Sequence, residues 1–319
     1  MSFLKKNYIY LVLPIFTILI TLTYLFIGLT SKTIDYFLPK RALIVLAVIV
    51  VSYALAFSSK VFQSITNNKL LTPQVMGYDS LYILFQTLIA FIVGSTVQIA
   101  RIADFFVAIS LMVLFSLLLN SIFNRLLSKK IYVLLLIGTI LSQVFKSITN
   151  FIQVIMDPNE FSHLEGKLIP SFNNINTNLV LISATIIGFL AIISAFDYKK
   201  YDVLQLGYET SVNLGINHRC FTFKSQIIIS VLVSVATALV GPLSFVGILV
   251  VSVTNMLLKT YKHKYHIWFS TLLTMAVLML SLLIVNYFLK SSTSVNVILN
   301  LIGGLGFLIL LLRQARGGK

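Results

Sequence analysis

Long apolar runs separated by short polar connections make up most of this chain. The run at residues 42–57, ALIVLAVIVVSYALAF, shows no alternation of apolar and polar positions. Spanning strands of a barrel alternate over about ten residues, whereas a spanning helix needs roughly 20 mostly apolar residues. The pattern therefore predicts about ten transmembrane helices, at residues 8–29, 42–59, 80–98, 104–123, 131–150, 178–196, 221–240, 243–258, 267–288 and 296–312.

The composition agrees with this pattern. Of the 319 residues, 58% are hydrophobic and 10% are charged, with a mean hydropathy of +0.98, whereas a soluble domain has about 25% charged residues. The first apolar stretch follows Lys5 and Lys6, but it is longer than a signal-peptide core and lacks a small-residue cleavage site. We predict an all-α integral membrane protein in which residues 1–319 form one transmembrane domain and the first span is retained.

The basic residues give the predicted orientation. If the N-terminus is cytoplasmic, seventeen of the 24 Lys and Arg residues lie inside. The positive-inside rule favours that arrangement and places both termini in the cytoplasm. The net charge of +15 is then explained by anionic lipid, and no nucleic acid is expected as a partner.

The polar residues exclude several classes of function. All nine acidic residues fall at span ends or in connections, so a proton or sodium relay within the spans is not expected. No zinc-protease, serine-hydrolase or P-loop motif occurs, which argues against an enzyme. Cys220 is the single cysteine, and no Cys/His spacing indicates a metal site. We expect the histidines to be solvated or to face headgroups: His163, His218, His263 and His266.

One polar island interrupts the apolar pattern, the stretch LQLGYETSVNLGIN at residues 204–217. Leu204, Tyr208 and Val212 recur at helical spacing, which predicts a short helix with that face toward its own membrane domain. The remaining polar face would then be available to a partner. Gly207 is suited to a tight entry and Gly215 to a helix C-cap.

This stretch resembles the cytoplasmic coupling helix of iron-siderophore and vitamin B12 (FecCD-type) ABC importer permeases, which typically reads L-x-L-G-E-x-x-A-x-x-L-G. Other landmarks of that family follow in order: LPKR at 38–41, QSITNNKLLTPQVMGYDS at 63–80, GPLSFVGILV at 241–250 and NLIGGLGFLILLLR at 300–313. The resemblance covers nearly the whole chain. Two departures are Tyr208, which stands where the family often has Glu, and Val251-Ser252, which stand where it often has Pro-His.

The resemblance implies a subunit of ten helices that translocates a ferric siderophore, of the catecholate type, across the bacterial cytoplasmic membrane. It also implies three partners: an ATPase dimer that binds ATP and magnesium, a second identical or related permease, and a siderophore-binding lipoprotein or periplasmic protein. This chain itself would be non-catalytic and would bind no cofactor or metal. Haem or cobalamin remains an alternative cargo, and an ion-coupled secondary transporter remains an alternative mechanism.

The resemblance also assigns roles to residues. The coupling segment, at about residues 199–219, carries the candidate contacts with the ATPase: Leu206, Gly207, Tyr208, Glu209, Asn213, Leu214 and Gly215. Asn68 and Leu70 match an N-P-L segment at the cytoplasmic gate, with Lys69 in place of proline, and Ile131 and Tyr132 match a second gate region. Basic residues at predicted outer span ends are candidates for docking the binding protein: Lys40, Arg41 and Lys290.

Overall fold

The computed structural model describes residues 2–29, 33–69, 71–94, 101–126, 131–173, 175–258, 260–289, 295, 297–301 and 304–306, with the backbone alone for 2–9, 119–126 and 131–135. These residues fold almost entirely into helices, which are α1 Ser2–Phe26, α2 Ile34–Ile65, α3 Tyr78–Val93, α4 Arg101–Leu126, α5 Ile131–Ile155, α6 Pro158–Leu168, α7 Thr177–Phe196, α8 Tyr198–Leu204, α9 Tyr208–Asn213, α10 His218–Val240, α11 Val246–Leu257 and α12 His263–Leu283. A π-helical turn, Ile284–Phe288, continues α12.

The predicted class, an all-α membrane protein, is confirmed. Within the described residues, five helices are long and apolar enough to cross a bilayer. They are α2, α4, α7, α10, and α12 with its π-helical turn. The count of ten spans remains a prediction, since the last predicted span lies largely outside the described residues.

Helix α6 was not predicted from the apolar pattern. It lies in the connection between the predicted spans at 131–150 and 178–196, where that pattern predicts no helix, and its local signals are polar. The side chain of Asp157 accepts a hydrogen bond from the amide of Asn159, and Pro158 occupies the first turn. The ion pair between Lys167 and Asp104, at 2.6 Å, connects α6 to α4.

The contacts divide the chain into two compact units. The first consists of Met1–Phe57, Ser171–Tyr198 and Phe245–Lys319. In it, α1 and α11 both pack against α12. The edge of the Tyr10 ring meets the Phe269 ring at a centroid distance of 6.3 Å, and Tyr53 and Ser194 share a hydrogen bond of 3.0 Å. The unit is thus held by apolar packing with a few hydroxyl pairs.

The second unit consists of Ser58–Pro170 and Lys199–Ser244. In it, α10 packs against α4, and α3 packs against both α5 and α6. The buried hydroxyls of Tyr78, Ser116 and Ser230 bond to one another where α3, α4 and α10 meet. This unit contains the end of α2 together with α8 and α9, so it contains the predicted coupling and gate segments.

Burial departs from the sequence-based expectation for two histidines. His263 and His266 were expected to be solvated, but both are buried in the first turn of α12. A ring nitrogen of His266, Nε2, lies 2.6 Å from the carbonyl oxygen of Thr260, in the connection before the helix. The expectation was wrong because the connection supplies a polar partner for the imidazole within the fold.

Candidate coupling, gate and docking sites

The coupling segment begins with the short helix α8, one side of which is buried. Tyr201 and Leu204 point inward and are buried. The Tyr201 ring lies at a centroid distance of 5.0 Å from the ring of Phe221 on α10, and the Lys200 ammonium lies 5.6 Å from the centre of the same Phe221 ring. Helix α8 is therefore anchored to α10 by aromatic packing before the chain turns into α9.

A glycine stands at each end of α9. Gly207 precedes the helix with φ 99° and ψ 172°, a region of backbone conformation that is essentially restricted to glycine. Gly215 follows it with φ 84°. The amide of Gly215 bonds to the carbonyl of Val212, and the amide of Ile216 bonds to that of Ser211, which together form a Schellman motif. Both predicted glycine roles are confirmed.

The predicted inward face of the coupling helix was wrong. Leu204 belongs to α8, while Tyr208 and Val212 belong to α9 and are both exposed. Ser211 is the buried residue of α9, and its hydroxyl donates to the carbonyl of Tyr208 at 2.8 Å. The glycine conformation at residue 207 breaks the helix, so helical spacing does not continue from Leu204 into α9.

As a result, apolar side chains on the coupling segment face outward. Four of them form what we call the apolar cluster: Leu206, Tyr208, Val212 and Leu214. Their exposed fractions range from 44% at Val212 to 66% at Tyr208. The predicted contacts Glu209 and Asn213 are also exposed, on the same short helix. Exposed apolar side chains beside polar ones are typical of a protein interaction site.

The gate prediction falls on the turn that ends α2. Asn67 has φ 47°, and the amides of Asn67 and Asn68 bond to the carbonyls of Ser64 and Gln63, which is again a Schellman motif. Asn68 is half-buried. We call residues 66–69 the gate segment. Leu70 lies outside the described residues.

The second gate region is described less fully. Ile131 and Tyr132 begin helix α5, where the structure describes the backbone only. Further along the same helix, polar side chains follow one another at helical spacing: Thr139, Gln143, Ser147 and Asn150. Three of these line an open groove of about 570 Å³ together with Ile140, Val144 and Ile148. Gln143, Ser147 and Asn150 are exposed on this otherwise apolar helix.

The docking candidates have different surroundings. Lys40 is exposed on α2. The Arg41 guanidinium donates to the carbonyl oxygens of Tyr24, Leu25 and Ile27, at 3.2, 2.8 and 2.8 Å, and lies 5.8 Å from the centre of the Tyr287 ring. Arg41 therefore satisfies carbonyls at the C-terminal end of α1. Lys290 lies outside the described residues.

The profile of the FecCD transport family matches residues 8–313 of this chain. The chain belongs to the FecCD transport family. The resemblance seen in the coupling stretch is thus confirmed over almost the full length. With its apolar helices, this FecCD-family chain is a multi-pass membrane transport permease.

Individual relatives and a solved structure agree with that assignment. The chain is 42% identical to the petrobactin import system permease protein YclO of Bacillus subtilis (strain 168), over 88% of this chain and 90% of the relative. It is 29% identical to the petrobactin import system permease protein FatC of Bacillus anthracis, over 86% and 78%. An inward-facing metal-chelate type ABC transporter has the same fold, with a TM-score of 0.80 at 20% identity, covering 96% of this chain and 99% of that one.

Proposed function

We propose that this chain is the permease subunit of an ATP-binding-cassette importer for ferric siderophores of the catecholate type, petrobactin in particular. The 42% identity to a petrobactin import permease, over 88% of this chain, is the observation that carries the proposal. The separate ATPase would bind ATP and magnesium and supply the energy. This chain would be non-catalytic and would hold no cofactor or metal of its own.

The coupling segment is the proposed contact with that ATPase. The apolar cluster and Glu209 are exposed on α9 and on the residues that flank it, so a groove on the partner can enclose Tyr208 and Leu214 and exclude water from them. Burying such side chains contributes about 1.5–3 kcal/mol each. Because α8 anchors the segment to α10, movement of the ATPase would be transmitted to a spanning helix.

The exposed polar face of α5 supports a pathway shared with a second permease. Gln143, Ser147 and Asn150 would each lose hydrogen bonds to water if they faced lipid. A second identical or related permease opposite this face would enclose a water-filled translocation pathway between the two subunits. Weak polar contacts suit a passage that must release a large chelate, while the binding protein selects it.

The proposed location is the bacterial cytoplasmic membrane, with both termini in the cytoplasm. The basic residues support this orientation. With this orientation, the order of the predicted spans assigns the coupling segment to the cytoplasmic side, with the ATPase, and Lys40 to the outer side of the membrane. The exposed ammonium of Lys40 would then pair with acidic residues of a siderophore-binding lipoprotein or periplasmic protein, which steers docking more than it adds affinity.

The test is purification of the tagged chain from iron-starved cells, followed by reconstitution into vesicles with the proteins that accompany it. We expect an ATPase and a second permease to co-purify, and ATP to drive uptake of ferric petrobactin. Haem or cobalamin as an equally good cargo would overturn the substrate. Uptake by the chain alone on an ion gradient, without ATP, would overturn the importer mechanism.

A further inference from the structure

The end of α2 carries two buried polar side chains that connect the coupling and gate segments. Lys60 is only 5% exposed, and its Nζ donates to Oε1 of Gln205 at 3.4 Å. Gln205 stands between α8 and α9, within the coupling segment. Three residues further along the same helix face, Nε2 of Gln63 donates to the carbonyl oxygen of Lys69 at 2.6 Å. That carbonyl belongs to the gate segment.

The two segments also approach each other directly. A Cβ atom added to Gly207 would lie 3.7 Å from Nδ2 of Asn67, in ordinary van der Waals contact. Asn67 holds the left-handed conformation that turns the chain out of α2. The backbone at Gly207 therefore lies close to the side chain of Asn67, one residue before the predicted gate residue Asn68.

The charge of Lys60 also interacts with a charged residue of each of the two segments. Its ammonium is attracted by the carboxylate of Asp202 on α8 and repelled by Lys69 in the gate segment. Burying an ammonium group is costly, and a long apolar side chain at such a position is often neutral or stabilising by comparison. Stability alone therefore gives little reason for a lysine here, whereas a directional contact that fixes one arrangement does.

We propose that Lys60 and Gln63 form a polar latch through which the coupling segment controls the gate segment. With Lys60 bonded to Gln205, the end of α2 and the Lys69 carbonyl are held in the present arrangement. When the ATPase moves the coupling segment, Gln205 and Asp202 move with it, and the contact that holds the end of α2 is released. Lys60 is a positioning residue in this account, which rests on the proposed function.

The experiment compares variants of the reconstituted importer complex in vesicles by two measurements. The first is the number of ferric petrobactin molecules taken up per ATP hydrolysed. The second is the passive leak of trapped carboxyfluorescein without ATP. Lys60→Met keeps an unbranched, flexible side chain that is one atom shorter, but removes its charge and its donors. We expect uptake per ATP to fall roughly tenfold, within the usual range of coupling between sites, and the leak to rise.

Three further variants separate a latch from simple packing. Lys60→Arg keeps a donor and a charge and should restore most of the coupling. Ser59→Ala removes a buried hydroxyl beside Lys60 that has no hydrogen-bond partner among the described residues, and it should retain wild-type coupling and leak. Gln205→Ala removes the other end of the bond, so its effect should not add to that of Lys60→Met. It also decides the question if Lys60→Met fails to accumulate.

Wild-type coupling and leak in the Lys60→Met or Gln205→Ala complex would overturn the latch. The latch would also be overturned if Lys60→Met and Ser59→Ala lowered ATP hydrolysis and uptake to the same extent as each other. Such a result would indicate that Lys60 acts only through packing. A wild-type complex without ATP-driven uptake would refute the proposed function instead. In that case the dye leak of the variants against wild type would still decide whether Lys60 holds the gate segment in its present arrangement.

Discussion

Two neighbouring basic residues, Lys40 and Arg41, show that the role of a side chain depends on its surroundings. Both belong to the LPKR landmark and both were predicted to dock a binding protein. Lys40 is exposed, whereas Arg41 makes three hydrogen bonds to carbonyl oxygens at the end of α1. All three bonds come from one guanidinium nitrogen, Nη1, whose positive charge is favourable beside carbonyls at the C-terminal end of a helix. The structure therefore supports a stabilising role for Arg41.

We predict that the two substitutions Lys40→Gln and Arg41→Gln will separate docking from stability. Arg41→Gln removes charge-assisted bonds and should destabilise the protein by about 2 kcal/mol. Lys40→Gln should leave the thermal unfolding midpoint in detergent unchanged, but it should weaken docking of the binding protein and reduce the dependence of docking on salt.

The measurements are thermal unfolding of each purified variant and binding of the siderophore-loaded binding protein at several salt concentrations. If Arg41→Gln unfolded at the wild-type temperature, its contacts with α1 would not be stabilising. If Lys40→Gln bound with unchanged affinity and unchanged salt dependence, Lys40 would not be a docking residue.

Burial of single polar residues was the least predictable property at this scale. Asp79 was expected at the end of a span and does lie in the first turn of α3, but its side chain is buried and accepts a hydrogen bond of 2.6 Å from Ser244. Asp79 and Ser244 are far apart in sequence. No local sequence pattern predicts such a partner, because Ser244 lies in the connection between α10 and α11.

At the scale of elements, α9 shows which features of a short helix depend on the local sequence and which depend on packing. Its two glycine ends were predicted, because positive φ angles are a local property of glycine. Its inward face was not, because the direction of a side chain depends on where the helix begins and on what lies beneath it. The break at Gly207 moved Tyr208 and Val212 to the outside.

We predict that asparagine will be tolerated better at Gly215 than at Gly207. Asparagine is an accepted substitute in the left-handed conformation at the end of a helix. The conformation at Gly207, φ 99° and ψ 172°, is essentially restricted to glycine, and another residue there costs about 1–3 kcal/mol. Gly207→Asn should therefore distort the presentation of Tyr208 and lower the recovery of ATPase with the purified permease.

The measurement is the ratio of ATPase to permease after gentle purification of matched preparations. Membrane levels of the two variants are compared first, so that lower accumulation is not mistaken for weaker association. Equal ATPase recovery with Gly207→Asn and Gly215→Asn would show that the backbone at Gly207 does not govern the contact.

At the scale of the whole molecule, the native cysteine provides a test of orientation. Cys220 is exposed near the start of α10, at the end that the positive-inside rule assigns to the cytoplasm. A membrane-impermeant maleimide should therefore label Cys220 in inverted vesicles and fail to label it in intact spheroplasts.

The matched control carries Cys220→Ser together with Asn159→Cys, on α6. Asn159 is exposed in the connection between the fifth and sixth predicted spans, which faces outward if the N-terminus is cytoplasmic. Its thiol should be labelled in intact spheroplasts, and denatured samples give the total thiol for both proteins. Labelling of Cys220 from outside would reverse the proposed orientation and remove the coupling segment from the reach of an ATPase.

The sequence by itself determined the class, the approximate spans, the family and the glycine-bounded coupling helix. Each depends on information close together in the chain: apolar length, charge at the ends of spans, and residues suited to particular backbone angles. Only the tertiary structure decided which polar groups are buried and what they contact, including Arg41 at the end of α1 and Lys60 beside Gln205. Such pairs join residues distant in sequence, and packing alone brings them within reach of one another.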